Sequence, residues 1–301
     1  MAESEGSGVL FALGGFALLS VGDAVIKTMA GEFTPTGVAA IRFTFGAIGL
    51  ATLALAREGR GVLRPPSPWL QVARGLCLAL ASLCFFSAVF VMPLAEATAL
   101  VFVAPILTAL LSGPLLKERV RPATFIASAI AFAGVLVVLR PNVLAIGIAA
   151  LLPVAAALFM ALLVIANRAT AGRGSVLAMQ FYVAAVAAPV LIAAAAVGHA
   201  SGIAALALEM PPASVALRCA LVAITASTAH YLVYLGTTRA NAASVAPMTY
   251  VQLIVATAIG WWWFGDRPDL ATLGGAAIIV AAGLYLWRDT RRHLRAAAAP
   301  V

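Results

Sequence analysis

The stretch of sequence that decides the fold is Ala95–Arg140, AEATALVFVAPILTALLSGPLLKERVRPATFIASAIAFAGVLVVLR, because a related stretch follows later in the chain. Ala243–Arg288, ASVAPMTYVQLIVATAIGWWWFGDRPDLATLGGAAIIVAAGLYLWR, aligns with it without a gap after a shift of 148 positions (243 minus 95). About a quarter of the aligned pairs are identical, and Phe102 aligns with Tyr250. A duplicated apolar half is typical of carriers in which two related helix bundles enclose one central site.

The composition around this repeat is that of a membrane protein. Of the 301 residues, 63% are hydrophobic and 10% are charged, whereas soluble domains have about 25% charged residues. The apolar runs are apolar on every side and ~17–25 residues long, so they indicate helices that cross ~30 Å of hydrocarbon and not barrel strands. The predicted spans are Val9–Met29, Pro35–Arg57, Trp69–Met92, Ala95–Leu116, Ala123–Leu139, Leu144–Arg168, Val176–Val197, Ala213–Gly236, Asn241–Phe264 and Leu270–Trp287.

The basic residues predict which way these spans run. With the N-terminus in the cytoplasm, the inner loops and the C-terminal tail would hold Arg57, Arg60, Arg64, Lys117, Arg119, Arg121, Arg168, Arg173, Arg239, Arg288, Arg291, Arg292 and Arg295. The outer loops and helix ends would hold Lys27, Arg140, Arg218 and Arg267. Such an asymmetry places both termini in the cytoplasm of a bacterial-type inner membrane. The basic tail suits anionic lipid headgroups, and nothing supports nucleic acid binding.

Ten spans divide into two halves of five, residues 1–143 and 144–301. Because five is odd, the second half must enter the membrane from the opposite face, so the two repeats would be inverted. We therefore expect an all-α membrane protein of ten transmembrane helices, arranged as two inverted five-helix repeats around a central cavity. Pro105 and Pro247 fall inside the fourth and ninth spans and predict kinks there.

The motifs within the repeats carry a resemblance to a known family. The first unit reads Leu-Ala-Glu-Ala-Thr-Ala-Leu-Val-Phe-Val-Ala-Pro105 and then Lys117-Glu118-Arg; the second reads Ala-Ser-Val-Ala-Pro247 and then Phe264-Gly-Asp266-Arg-Pro. With the Arg42-Phe43 pair, they resemble the drug/metabolite transporter superfamily, EamA type, over nearly the whole chain. Asp266 departs from that pattern, which usually has Glu there. The resemblance implies two five-helix units, and within the family it extends to YddG-like aromatic amino acid exporters. Their cavity aromatics would correspond to Phe102 and Phe159.

Asp23, Lys27, Arg42 and Glu96 are charged residues that the predicted topology places together in the outer half of the membrane, where a charge is costly. Asp23 and Lys27 are four residues apart on the first helix and can pair. Arg42 lies well inside the second helix, and Glu96 begins the fourth. One interpretation is an outer gate, or a cluster that binds the carboxylate and ammonium of a zwitterion; the other is a structural set of ion pairs.

Polar and aromatic side chains complete the candidate substrate site. Ser227, His230 and Tyr234 share one face of the eighth helix, where His230 could relay protons or simply join two helices. Gln252 must be satisfied by protein or by a cavity. The remaining candidates are Phe102, Tyr250, Phe159 and Ser82. If the repeats face one another, Phe102 and Tyr250 should flank the central cavity, since aromatic walls suit apolar or aromatic substrates.

Other features are interpreted as structural. Glu118 and Asp266 follow the fourth and ninth spans, where they would cap the next helix or pair with arginine. Trp261, Trp262 and Trp263 suggest an interfacial belt, and the three cysteines, all inside spans, suggest packing.

The chain lacks the motifs of the main alternatives. It has no Walker loop, no His-Glu-x-x-His and no paired acidic motif, so neither catalytic residues, a metal nor a cofactor is expected. The sequence favours a carrier that exports small organic metabolites, in particular amino acids including aromatic and apolar ones, without an obligatory protein partner. Transport of nucleotide-sugar-like or drug-like solutes, an intramembrane enzyme and a membrane scaffold are the alternatives.

Overall fold

The computed structural model of the chain describes residues 2–116, 122–170, 173–239 and 246–297, and these are almost entirely helical. Their only strand-like feature is one isolated bridge between Ala30 and Phe33. The α-helices, numbered α1 to α11 in chain order, are Ala2–Lys27, Pro35–Glu58, Pro68–Val91, Leu94–Val101, Ala104–Leu116, Pro122–Ile146, Leu152–Ala169, Val176–Ala200, Ala213–Arg239, Val251–Phe264 and Leu270–Ala297. Short 3-10 turns at Arg60–Leu63, Gly147–Leu151, Ala204–Leu206 and Ala246–Tyr250 connect some of them.

Nine segments in the described part of the chain are long and apolar enough to cross a membrane. They correspond to nine of the ten predicted spans. The remaining span, Asn241–Phe264, begins at residues outside the described ranges; from Ala246 onward it consists of a 3-10 turn followed by α10. The all-helical membrane fold expected from the sequence is therefore confirmed.

Two of the spans depart from regular α-helix at equivalent positions of the repeat. The sequence predicts one helix over Ala95–Leu116, but in the structure this span divides into α4 and α5 around Phe102. There the backbone tightens, because the amide of Phe102 donates to both Thr98 and Ala99. Pro105 explains the break, since proline lacks the amide hydrogen and its ring clashes with the carbonyl four residues earlier. In the second half the 3-10 turn gives way to α10 after Tyr250, which aligns with Phe102.

The most extensive helix contacts join one half of the chain to the other. Helix α1 packs against α9 and α3 against α7, so the first transmembrane helix of each half contacts the third of the other. In the same way α2 packs against α8 and α6 against α11, which pairs the second helices and the fifth helices of the two halves. A single main core cluster therefore contains buried residues from both halves. This reciprocal pattern is what two repeats related by a two-fold axis would produce.

Small residues allow these helices to approach closely. A Cβ atom at Gly236 of α9 would lie 2.8 Å from the carbonyl oxygen of Gly8 in α1, and one at Gly15 would lie 2.8 Å from that of Ala229. The contact therefore runs antiparallel along both helices. Gly134 and Gly275 make the corresponding approach between α6 and α11, where an added Cβ would lie 2.9 Å or less from the partner's carbonyl. Where lipid replaces water, such close backbone packing is a main source of helix association.

An ion pair at one end of the molecule fastens α9 to the turn between α1 and α2. Arg218 donates through Nη1 to the carbonyl of Thr28 at 2.9 Å and forms an ion pair with Glu32. The guanidinium holds the pKa of the Glu32 carboxyl below its ordinary value. A carboxyl with a depressed folded-state pKa adds stability above its unfolded pKa, and this contribution disappears as the pH falls through the folded value.

We therefore expect the difference in melting temperature between the wild type and Glu32→Gln to depend on pH. At neutral pH the wild type should melt at a slightly higher temperature, because the pair is exposed and solvent weakens it. At a pH below the folded pKa of Glu32 the two proteins should melt together. Thermal denaturation in detergent at both pH values measures this, and a constant difference would show that the Glu32 charge is not involved.

Candidate functional site

A cavity of about 710 Å³ lies between α2, α8 and α9. On α2 its lining begins at Arg42 and continues to the C-terminal end of that helix at Glu58. The first turns of α8, from Val176 to Ala184, the middle of α9 and Leu78 of α3 form the other walls. The lining residues are Arg42, Phe43, Gly46, Leu50, Leu53, Arg57, Glu58, Leu78, Val176, Leu177, Gln180, Ala184, Ala223, Ala226, Ser227, Thr228, His230, Tyr231 and Tyr234.

The polar face of α9 supplies most of the neutral hydrogen-bonding groups in this cavity. Ser227, His230 and Tyr234 all line it, in agreement with their common face in the sequence. Ser227 Oγ donates to the carbonyl of Ala223 at 2.8 Å, and His230 Nδ1 lies 2.7 Å from the carbonyl of Ala226. A carbonyl can only accept, so Nδ1 carries the proton and the other ring nitrogen of a neutral imidazole is an acceptor.

Arg42 provides the positive charge farthest from the Glu58 end of the cavity. Its guanidinium carbon lies 4.2 Å from the ring centroid of Phe43 and 5.8 Å from that of Phe86. Its Nε is buried, and no hydrogen-bond partner for it exists among the described residues. The aromatic rings therefore hold the guanidinium in place without using its hydrogen-bond donors.

Asp23 lies behind the cavity wall and not on it. Its Oδ2 accepts a hydrogen bond from Gln252 Nε2 at 3.2 Å, and Ser20 Oγ donates to the backbone carbonyl of Gln252 at 3.0 Å. These two hydrogen bonds join α1 to α10. Asp23 also interacts electrostatically with Arg42. The suggested pair between Asp23 and Lys27 is not what the structure shows, because Asp23 is bonded to Gln252 on α10 and Lys27 is paired with Asp266 in the turn after α10.

Lys27 instead belongs to a cluster at the end of α1. Its ammonium lies 2.6 Å from Asp266 Oδ2, donates to the carbonyl of Met92 at 3.3 Å, and sits 4.9 Å from the ring centroid of Phe264. The same carboxylate oxygen accepts the amide of Leu94 at 3.4 Å. The cluster thus links α1, the turn before α4 and the turn after α10.

This arrangement corrects the prediction that Asp266 caps the next helix or pairs with arginine. The cap of α11 is Asp269, whose Oδ1 accepts the amide of Thr272 at 2.7 Å. That hydrogen bond lowers the pKa of the Asp269 carboxyl. Asp266 lies three residues earlier, in the turn after α10, where its carboxylate can reach the end of α1. Glu118, its counterpart in the first repeat, lies outside the described residues.

Phe102 and Tyr250 contact each other and do not line the cavity. Their ring centroids are 5.3 Å apart at an interplanar angle of 39°. The Tyr250 hydroxyl rests against Gly283 of α11, where any Cβ atom would collide with it. The two aligned aromatics thus join the C-terminal end of α4 to the 3-10 turn that precedes α10.

Three further candidates lie away from the cavity lining. Glu96 is buried on α4, where its Oε1 accepts from Thr272 Oγ1 at 3.4 Å. Phe159 on α7 and Ser82 on α3 are half-buried, and neither belongs to the residues that line the cavity. Groups of three or more potential metal ligands do not occur in the part of the chain that the structure describes.

A buried polar cluster near the start of α3 was not anticipated from the sequence. Arg74 donates to Asn167 Oδ1 at 2.6 Å and to Gln71 Oε1 at 2.5 Å, so it joins α3 to the end of α7. Arg218, near the start of α9, makes the corresponding contact with the end of α1. The sequence contains one signal that could have predicted this cluster. An arginine and a glutamine stand three residues apart inside an apolar span, and such residues need polar partners in a membrane.

Comparison with known proteins gives one family match over almost the whole chain. The model of the EamA-like transporter family matches twice, at residues 6–140 and 147–288. A solved crystal structure that is 24% identical, covering 95% of this chain and 98% of its own, has a TM-score of 0.60 and supports the fold.

Several curated relatives are similar along most of their length. An S-adenosylmethionine uptake transporter of Rickettsia prowazekii is 25% identical over 96% of this chain and 95% of its own. A pseudopaline exporter of Pseudomonas aeruginosa is 28% identical over 95% and 97%, respectively. A riboflavin transporter of Rhizobium johnstonii is 28% identical over 80% and 77%.

Proposed function

The chain belongs to the EamA-like transporter family, and from this premise we propose that it exports amino acids and related small metabolites, including aromatic and apolar ones, by alternating access. The chain is a multi-pass membrane protein, and its family and relatives are transporters and not enzymes. The drug/metabolite transporter superfamily predicted from the repeated motifs is thereby confirmed.

The observation that carries the proposal is the cavity between α2, α8 and α9. Its lining on α2 extends from Glu58 to Arg42, sixteen residues or ~24 Å of helix, which is most of a hydrocarbon thickness. A volume of about 710 Å³ lies within the range of ligand pockets for small organic molecules. A blind cavity that ends inside the membrane is what alternating access requires of one of its two states.

The Lys27–Asp266 cluster supports a gate at the opposite end. It ties the end of α1 to two turns, and α2 begins on the same side, eight residues after Lys27. We propose that this cluster holds the outer end closed, and that the described conformation opens towards the cytoplasm at Arg57 and Glu58. This orientation, with both termini cytoplasmic, rests on the distribution of basic residues. The proposed inversion of the two repeats, residues 1–143 and 144–301, rests on the odd number of helices in each half.

The contact between Phe102 and Tyr250 supports a second closure, within the membrane. Phe102 stands where α4 ends, and Tyr250 ends the 3-10 turn before α10; such departures from regular α-helix are typical of hinges. We propose that the rings separate when the gate at Lys27 opens and then line the substrate path. Gln252 and Asp23, which tie α10 to α1, and Glu96 on α4 would move with them.

One relative's substrate supports the proposed substrate class. S-adenosylmethionine is an amino acid derivative with an aromatic base, which supports an amino acid-like solute with an aromatic or apolar part. The relatives include both an uptake transporter and an exporter, so the outward direction rests on the sequence resemblance.

The function is tested by filling the cavity. Gly46 lines it and Gly49 does not, and a Cβ atom at either position on α2 would have no neighbour within 4 Å. In proteoliposomes loaded with labelled phenylalanine, leucine, methionine or S-adenosylmethionine, we expect a solute flux above that of vesicles without the protein. Gly46→Trp should reduce that flux to a small fraction, whereas Gly49→Trp should leave it unchanged.

No flux of any solute would overturn the transport proposal, and equal flux in both variants would place the path elsewhere. The same vesicles, with and without a proton gradient, decide whether transport is coupled to protons.

A further inference from the structure

We propose that the cavity recognises its substrate by a carboxylate and accepts either an amino or a hydroxyl group beside it. The substrate class would then be 2-amino and 2-hydroxy carboxylates with an apolar or aromatic body. The proposal rests on the transport function above and narrows it to one rule of recognition.

The carboxylate partner is Arg42. The cavity has two other charged side chains, Arg57 and Glu58, and both lie at the end of α2, about four helical turns from Arg42. The Phe43 and Phe86 rings fix the guanidinium, and its buried Nε has no partner within the described ranges. A planar guanidinium with unused donors matches a carboxylate in a two-point hydrogen bond.

A matching acid for a substrate ammonium is missing from the same region of the lining. Asp23, which the sequence suggested for this role, is behind the wall and accepts from Gln252. It offsets part of the Arg42 charge from that side but presents no oxygen on the lining. Glu96, the other suggestion, accepts from Thr272 on α11 and does not line the cavity either.

Neutral acceptors stand where that acid would be needed. The unprotonated ring nitrogen of His230 and the hydroxyl oxygen of Ser227, whose hydrogen points to Ala223, can each accept one hydrogen bond. His230 also lies close enough to Arg42 to interact with it electrostatically. An ammonium and a hydroxyl can both donate to these atoms, and an ammonium gains no ion pair to offset its greater loss of hydration. A hydroxyl can therefore replace the amino group of the substrate, whereas the carboxylate is required.

Three compounds that share a phenyl group distinguish the contribution of the carboxylate from that of the amino group. Phenylalanine has both the carboxylate and the amino group, 3-phenyllactate has a hydroxyl in place of the amine, and phenylethylamine lacks the carboxylate. In proteoliposomes that transport labelled phenylalanine, unlabelled phenyllactate should compete within about threefold of phenylalanine itself. Phenylethylamine should not compete at a tenfold higher concentration. Competition by the amine, or none by phenyllactate, would overturn the proposal while leaving transport itself established.

Binding to the detergent-solubilised protein tests the same rule without transport. Phenylalanine and phenyllactate should raise the melting temperature, and phenylethylamine should not. A shift with the amine alone, or no shift with either carboxylate, would overturn the carboxylate rule, whatever the flux assay shows.

Variants then assign the rule to one residue. Arg42→Gln should weaken both carboxylates by about 10–100-fold, the usual effect of losing a charge-assisted hydrogen-bond pair. Arg42→Lys should keep part of the affinity, and Arg60→Gln is the control because it removes an exposed positive charge that does not line the cavity. Since Arg42 lies among packed aromatics, melting of each unliganded variant is measured as well. An Arg42→Gln protein that melts normally and binds phenyllactate like the wild type would overturn the assignment.

Discussion

Replacing Asp266 with asparagine should lower transport at least about tenfold. The substitution leaves the Lys27 ammonium without its counter-charge, although the side chains of Lys27 and Asp266 are only 13% and 18% exposed. The cost should lie between the ~1 kcal/mol of an exposed pair and the ~3–5 kcal/mol of breaking a buried one. Because ~1.4 kcal/mol changes an equilibrium tenfold, the state closed at this end would become rare, and a carrier must visit both states.

Two further variants make this result specific. Glu32→Gln removes the other ion pair described at this end, which is more exposed, and should reduce transport little. The double exchange Lys27→Asp with Asp266→Lys restores opposite charges and should recover much of the flux. If Asp266→Asn transports at the wild-type rate in proteoliposomes, the cluster is not a gate.

Replacing Gly275 with leucine should be the most destabilising single substitution proposed for this chain. A side chain there would meet Val138 and the carbonyl of Gly134, so α6 and α11 would be forced apart. Overpacking usually costs ~1–3 kcal/mol, and collision with backbone places this site at the upper end. We expect the melting temperature in detergent to fall by about 10 °C.

The adjacent glycine is the matched control for this experiment. Gly274 is exposed, and a Cβ atom there would have no neighbour within 4 Å. Gly274→Leu should leave the melting temperature unchanged or raise it slightly, since glycine is a poor helix former. Equal melting of the two variants would mean that the α6–α11 contact does not support the fold.

The repeat predicted the fold because duplication is visible in the chain itself. The 148-residue shift aligned Phe102 with Tyr250; in the structure α4 ends just before Phe102, and α10 begins directly after Tyr250. The common face of Ser227, His230 and Tyr234 could also be predicted, because helical spacing depends only on neighbours along the chain.

The partners of charged residues could not be predicted in the same way. Asp23 and Lys27 are correctly spaced for a pair, yet Gln252 and Asp266, more than two hundred residues later, are their partners. Which group lies nearest depends on how α1 packs against α10 and the turn after it, and no local pattern contains that information. Lys27 lies at the C-terminal end of α1, where its side chain can reach beyond the helix. Arg74 was missed for the same reason, because its partner, Asn167, lies on another helix 93 residues later.

The reciprocal packing of the two halves also has a consequence for how the protein is made. Gly15 of α1 packs against α9, and the contact is complete only when Gly236 has been synthesised, 221 residues later (236 minus 15). At about 5–20 residues per second, a ribosome needs roughly 10–45 seconds for that length. During this interval the small-residue face of α1 has no final partner in the bilayer, so insertion factors or lipids must occupy it while the rest of the chain emerges.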